Sequence, residues 1–336
     1  MIKIGIIGLG HWGKNYLRIF SNFPNVKIIF ICDKDEKVIS FFEKQFSSIN
    51  VVKDYTSQVD NIDAVIISTI ASTHFNIAKV FLEKGKHVLI EKPMTLDIKQ
   101  AEELINLAEK QKVVLMVSHT FIYNPGIRKM KEYINNKKIG QIYYMNSTRT
   151  HLGLIREDVN AVWDLAPHDI SIFNYLLEKF PIQVSALGAS FLKNNREDVA
   201  FINLSYPENI IAHIHVSWTD SNKERTIKVV GSKARLIFDD LNNLERVKLY
   251  EKGISSNQSY DDFGEFQYVL RDGDIISPKI ELKEPLKELS KHFIECIEKN
   301  ISPITDGKNG LEVVKILKAI ELSLSKNGIP VKLENL

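Results

Sequence analysis

Apolar residues along this chain change their rhythm once, near residue 121. The two rhythms predict two architectures. Before that point, short β-branched runs alternate with segments of helical spacing. Ile2-Lys3-Ile4-Gly5-Ile6-Ile7 reads as a buried strand. Trp12, Tyr16, Ile19 and Phe20 then fall at i, i+4, i+7 and i+8, one face of a helix. Residues 26–32 form a second strand that ends at Asp33. Residues 64–67 form a third, ending at Ser68 and Thr69. Ser72 and Thr73 are placed to cap a helix that carries His74, Ile77, Ala78, Phe81 and Leu82. Strand Val88-Leu89-Ile90 runs into Glu91-Lys92-Pro93. A helix over about 97–111 and a strand over 113–117 follow. Such alternation predicts a doubly wound parallel sheet. Ligands bind these sheets at the C-terminal ends of the strands, where Gly8, Asp33, Thr69, Lys92 and His119 all fall.

After Phe121 the pattern turns to one helix over 125–136, with Ile127, Met130 and Ile134 apolar, then a strand over 141–150. A helix over 163–178 buries Ile170, Phe173, Tyr175, Leu176 and Leu177. Alternating strands follow at 184–191, 199–206, 210–218, 226–230 and 235–238. Strands in series without helices between them predict a mostly antiparallel sheet, large enough to serve as a dimer face. Residues 252–264 read as a polar mobile loop or hairpin tip, and helices at about 285–299 and 307–326 close the chain. The expectation is an α/β protein: residues 1–120 a nucleotide-binding domain, residues 121–336 an α+β domain with an open sheet, the last helices packing back on the first domain.

Composition narrows the function. A 336-residue chain with 44% hydrophobic and 26% charged residues builds a full core. A formal net charge of +2 gives no electrostatic footprint for nucleic acid or an acidic membrane. Cys32 and Cys296 lack metal-ligand spacing and read as free thiols of a reducing compartment. No apolar run approaches the length of a membrane span, so the expected location is the cytoplasm.

Three glycines open the chemistry. In Gly8-Leu9-Gly10-His11-Trp12-Gly13 they stand at the first, third and sixth places, between a strand and a helix. That context turns a weak motif into a dinucleotide fingerprint. Gly8 allows the tight turn, Gly10 lets backbone approach a pyrophosphate, and Gly13 lets helix and strand pack closely. The helix N-terminus at His11 and Trp12 offers N–H groups to phosphate. Asp33 is placed to bind ribose hydroxyls, which favours NAD over NADP, although Lys34 beside it can meet a phosphate. Ser68, Thr69, His74, Glu91, Lys92 and His119 complete the expected cofactor edge. Lys92, at a strand end, can hydrogen-bond a substrate hydroxyl. Asp164 and His168, four residues apart, share a helical face if that helix runs through Pro167, where an imidazole beside a carboxylate can take an alcohol proton. Asp169 points elsewhere on the helix. His213 and His215 share a strand face without a third ligand nearby, and no metal is expected. Tyr123, Asn124 and Arg149 can bind sugar hydroxyls or a phosphate, and Arg149 can equally pair a surface carboxylate.

These motifs resemble the Gfo/Idh/MocA oxidoreductases. "IGIIGLGHWG" near the start, "HVLIEKPMTLD" at 87–97, "FIYNP" at 121–125 and "WDLAPHDISIF" at 163–173 carry the resemblance over essentially the whole chain. It implies a Rossmann domain followed by an open-sheet domain, NAD as cofactor, Lys92, Asp164 and His168 as catalytic residues, and a homodimer or homotetramer. Within the family, the stretches at 118–134 and 147–172 look most like sugar-nucleotide dehydrogenases that oxidise the 3-hydroxyl of UDP-N-acetylglucosamine. Such enzymes hand a 3-keto sugar to an aminotransferase, and the likeness implies Arg149, Arg156 and Tyr123 as diphosphate or sugar contacts. The alternatives are a dehydrogenase of a free polyol such as inositol, an NAD-dependent glycosidase and a non-catalytic sensor. Ile70, where the family often has proline, and Asn160-Ala161-Val162, where it often has glycines, bear on the substrate more than on the reaction.

Overall fold

The computed structural model describes residues 1–46, 48–153, 155–156, 158–192, 196–256 and 268–336. Most of the expected loop at 252–264 therefore lies outside the described residues. The chain divides into two compact units, residues 1–123 with 284–315, and residues 124–283 with 316–336.

In the first unit the order is β1 (Ile2–Ile7), α1 (His11–Phe20), β2 (Val26–Cys32), α2 (Glu36–Gln45), β3 (Asn50–Val52), β4 (Ala64–Ile67), α3 (His74–Glu83), β5 (His87–Ile90), α4 (Ile98–Gln111) and β6 (Leu115–Val117). The strands form one parallel sheet in the order β3-β2-β1-β4-β5-β6. Their near-continuous apolar runs are buried on both faces, as a helix-covered parallel sheet requires. Helix α2 and the three-residue β3 escaped the periodicity argument because α2 buries little beyond Phe42. The expected caps of α3 do not form: Thr73 donates its hydroxyl proton to Ile70 O and meets Thr69 Oγ1 at 2.7 Å.

The second unit begins with α5 (Pro125–Asn135), β7 (Ile142–Leu152) and α6 (Ala161–Leu177). It continues through β8 (Gln183–Ala189), β9 (Val199–Ser205), β10 (Ile211–Ser217), β11 (Thr219–Gly231), β12 (Arg235–Asp239), β13 (Val247–Tyr250), β14 (Gly253–Ser256), β15 (Tyr268–Arg271) and β16 (Ile275–Ile276). Helices α7 (Pro285–Lys299) and α8 (Gly307–Ser325) and strand β17 (Val331–Lys332) end the chain. Nine strands pair in the order β16-β13-β12-β11-β7-β10-β9-β8-β17. The sheet is mixed: β10 lies parallel to β7, and the other pairings are antiparallel. The reason is topological. Helix α6 carries the chain from β7 to β8, and two reversals, β8 to β9 to β10, return it beside β7 in the same direction.

Helix α6 starts earlier than the spacing predicts. Asn160 is its N-cap, accepting a hydrogen bond from the Trp163 N–H at 3.0 Å, so Asp164 lies in the first turn and Pro167 well inside. Helix α6 covers β7, β9 and β10 on one face of the sheet. Between them lies a buried bidentate ion pair: Arg149 Nε and Nη2 donate to Asp169 Oδ2 and Oδ1 at 2.8 and 3.0 Å.

The cut between units differs from the expected 1–120 and 121–336. Residues 284–315 join the first unit because α7 packs on α1 and because residue 305 extends the β6 edge. Val117 N–H donates to Thr305 O at 2.8 Å, and the Thr305 hydroxyl returns a bond to Val117 O at 2.7 Å. The remainder of α8 belongs to the second unit, where buried Ser323 accepts from Ala186 N–H at 2.9 Å and donates to Ile329 O at 2.8 Å. Replacing Ser323 with alanine leaves both backbone groups without that partner, at a cost of roughly 1–3 kcal/mol. The expected result is a lower urea midpoint with an unchanged slope.

Candidate active site

The turn after β1 shows why three glycines stand there. Gly8 has φ +88°, and a Cβ on it would meet Ser68 and Thr69 backbone at 2.8 Å. A Cβ on Gly13 would lie 1.8 Å from Gly8 O, so α1 rests directly on the turn. Gly10 is different: a Cβ there meets nothing within 4 Å. It is the N-cap of α1, and no side chain caps the helix. The first-turn N–H groups are thus left for an anion, and the space above Gly10 admits one.

Asp33, at the end of β2, is fixed over this turn. Its Oδ2 accepts from Leu9 N–H at 2.7 Å and its Oδ1 from Asp35 N–H at 3.0 Å. Lys34, His11 and Trp12 are exposed beside it. Trp12, expected on the buried face of α1, is 40% exposed, while Tyr16, Ile19 and Phe20 are buried.

Several expected cofactor contacts serve the scaffold instead. Ser68 Oγ donates to Gly8 O at 2.8 Å, bracing the turn from below. His74 is buried, with Nδ1 2.8 Å from Pro93 O and Nε2 3.1 Å from Thr69 O, so its ring ties the β4 end to the segment after Lys92. Glu91 is buried as well. Tyr16 Oη lies 2.8 Å from Glu91 Oε1, and Lys92 N–H donates to Glu91 Oε2 at 3.2 Å. A carboxylate with these partners faces inward, beneath Lys92. His119, at the end of β6, is buried, and neither ring nitrogen has a hydrogen-bond partner among the described residues. Burial and then the Lys92 charge push its pKa down to about 3, so the ring is neutral at physiological pH. A neutral imidazole with unmet polar atoms at a strand end suits a polar ligand.

In the second unit Asp164 and His168 occupy one face of α6, half-buried, while Leu165, Ala166 and Pro167 between them are buried. Asp164 Oδ1 accepts from Arg156 Nη1 at 3.4 Å, and its Oδ2 from Trp218 Nε1 at 3.3 Å. Arg156 itself is held by Asp158 at 2.9 and 2.7 Å, which makes it a support for Asp164. The expectation of Arg149 as a substrate ligand fails on burial, since Asp169 occupies two nitrogens of its fork. Asn124 is likewise structural: it caps α5 through Gly126 N–H at 2.9 Å and donates to Asp240 at 3.0 Å. Tyr123 is buried in the first unit against the His292 ring, 5.7 Å between centroids. His213 and His215 lie on the outward sheet face, where Phe201 stacks on His215 at 4.5 Å. No group of three or more potential metal ligands occurs among the described residues, and no helix there is long and apolar enough to cross a membrane. Both cysteines are free and buried.

Comparison with known proteins agrees with this geometry. Residues 2–119 match the family described as "Oxidoreductase family, NAD-binding Rossmann fold", and residues 127–237 match the "GFO/IDH/MocA C-terminal domain". The UDP-N-acetylglucosamine 3-dehydrogenase of Acidithiobacillus ferrooxidans is 26% identical over 253 residues, 75% of this chain and 78% of that protein. The myo-inositol 2-dehydrogenase of Thermotoga maritima is 23% identical over 265 residues, 75% of this chain and 79% of that protein. Among solved structures, the Acidithiobacillus enzyme superposes with a TM-score of 0.82 at 22% identity, covering 97% of this chain and 98% of that one. GenD2 from gentamicin A biosynthesis, in complex with NAD, gives a TM-score of 0.82 at 19% identity, covering 98% of this chain and 96% of that one. An open helix N-terminus over a glycine turn and two successive domain matches lead to one assignment: the chain belongs to the Gfo/Idh/MocA family of NAD-binding oxidoreductases.

Proposed function

We propose that the enzyme oxidises the 3-hydroxyl of a UDP-N-acetylhexosamine, UDP-N-acetylglucosamine first among them, to a 3-keto sugar in the cytoplasm. The observation that carries this reading is the match over 75% of the chain to a dehydrogenase of that substrate. A 3-keto sugar is a substrate for transamination, which makes an aminotransferase the natural next enzyme. The match to an inositol dehydrogenase over an equal share of the chain supports a second reading, a free polyol as substrate.

The cofactor's seat follows from the first unit. The backbone at Gly10 and the start of α1 hold the pyrophosphate, and Asp33 binds the adenosine ribose and repels a 2′-phosphate. His119 offers its unmet ring nitrogens. Bound NAD supplies the hydride acceptor. The chain's own residues manage the hydroxyl proton, which must leave as the C–H hydride departs and the carbonyl forms. Lys92 orients the hydroxyl oxygen. The base is His168, with Asp164 one turn earlier on α6, or Lys92 itself. The working form is a homo-oligomer. The outward residues of β7, β10 and β9 around Tyr144, Ile211 and Phe201 are uncharged and include exposed large apolar side chains.

Gly10→Ala folds with wild-type stability but binds NAD at least about tenfold more weakly, because the methyl occupies the approach to the pyrophosphate. Gly13→Ala instead lowers the melting temperature, since its methyl meets Gly8 O. Titration calorimetry and thermal melts separate the two, and equal effects from both changes would contradict these roles.

In an NADH assay with UDP-N-acetylglucosamine, other UDP-sugars and myo-inositol, with an aminotransferase to trap ketone, turnover is expected with the sugar nucleotide. Turnover with inositol alone would select the second reading. Lys92→Ala is expected to reduce kcat by at least about a thousandfold while NAD still binds. Sedimentation is expected to show an oligomer that Phe201→Glu dissociates.

A further inference from the structure

The buried face of α1 holds a polar cluster that the reaction described above does not use. Tyr16 is fully buried, its ring stacked near Phe20 at 6.2 Å, and its hydroxyl has two oxygen neighbours: Glu91 Oε1 at 2.8 Å and Ser118 Oγ at 2.7 Å. Ser118 Oγ in turn lies 3.2 Å from Thr120 Oγ1. The cluster thus joins the dinucleotide helix to the ends of β5 and β6. Its last link is the Lys92 N–H, which donates to the second oxygen of Glu91.

Proton counting shows how the cluster works. Tyr16 has one proton for two oxygen neighbours. With Glu91 ionised, Ser118 donates to the carboxylate, and the Tyr16 proton lies between the carboxylate and Ser118 Oγ. With Glu91 protonated, the carboxyl itself becomes a donor and Tyr16 donates to Ser118. Both states are hydrogen-bonded, but the anionic one gains charge-assisted bonds.

We propose that Tyr16 is a positioning residue for Lys92: its hydroxyl stabilises the Glu91 anion, which anchors the Lys92 backbone and sets a fixed negative charge beside the lysine. This rests on the reading of Lys92 as catalytic. The groups acting on Glu91 are Tyr16 from α1, Ser118 from the β6 end and Lys92 from its own segment. Burial pushes the Glu91 carboxyl above the usual range, while the Tyr16 and Ser118 hydroxyls and then the Lys92 charge pull it back down. Tyr16 itself is pushed up by burial and then by the Glu91 charge, so it stays a phenol and a donor. Removing the Tyr16 hydroxyl takes away a donor to the anion, so Glu91 keeps its proton to higher pH. Activity supported by the anion is then lost at higher pH as the medium is acidified.

The test is Tyr16→Phe, which keeps the ring and its packing. The Glu91 carboxyl band is followed by infrared titration against Glu91→Gln, which needs no substrate. Its midpoint is expected to rise by about one pH unit. The acid limb of kcat with UDP-N-acetylglucosamine is expected to follow, giving about tenfold lower kcat on the acid side and near-wild-type kcat at high pH. NAD affinity, read from the fluorescence of exposed Trp12, is expected to stay within about twofold. Ser118→Ala, which removes the other and lesser hydroxyl acting on Glu91, should move the midpoint in the same direction by less, and serves if Tyr16→Phe does not fold. An unmoved midpoint, or a kcat lowered equally at every pH, overturns the proposal. Full turnover in Lys92→Ala would defeat the catalytic reading as well. An inactive Lys92→Ala with an unchanged Tyr16→Phe titration defeats the role of Tyr16 alone.

Discussion

The first unit depends on how closely α1 approaches the end of β1. The helix lies so near the turn that any side chain at residue 13 would collide with Gly8 O. That approach brings the uncapped N-terminus of α1 to the same strand ends as Asp33, and it pushes Tyr16 far enough under the sheet edge to reach Glu91 and Ser118. The surface above the helix is a place for an anion, and the interior beneath it is a buried hydrogen-bonded cluster. One steric fact produces both.

The second unit solves a different problem. Its helix α6 carries Asp164 and His168 on a half-exposed face, and the rest of the helix must be anchored to the sheet. The Arg149–Asp169 pair does that from the buried side of the helix. A buried ion pair gains little net stability over apolar packing, but losing one partner leaves an uncompensated charge. Such a pair therefore constrains the rotation of α6 about its axis, and with it the direction in which His168 points. Arg156 and Trp218 restrain Asp164 in the same manner.

The candidate site residues that turn out to hold scaffold partners share one cause. Ser68, His74, Glu91, Asn124 and Arg149 are polar residues near predicted strand ends or helix starts, where ligands also bind. Sequence position cannot separate a side chain that faces a ligand from one that braces the backbone behind it. Tyr16 was visible as part of an apolar face, and a buried tyrosine needs a partner for its hydroxyl. That need was legible, but the partners lie 75 and 102 residues away.

What the sequence determined by itself was local. Period-two and helical spacings, the glycine turn and the Glu-Lys-Pro and Asp-x-x-x-His motifs specified a doubly wound domain, a following sheet domain and the candidate residues for the chemistry. Each signal is carried by a short segment whose backbone geometry its own side chains dictate. Tertiary structure decided what depends on distant partners. It turned β10 parallel to β7, drew residues 284–315 into the first unit through Thr305, and aimed Glu91 inward and Arg149 at Asp169. Those outcomes follow from desolvation: a polar group taken out of water must find its partner wherever the fold places one.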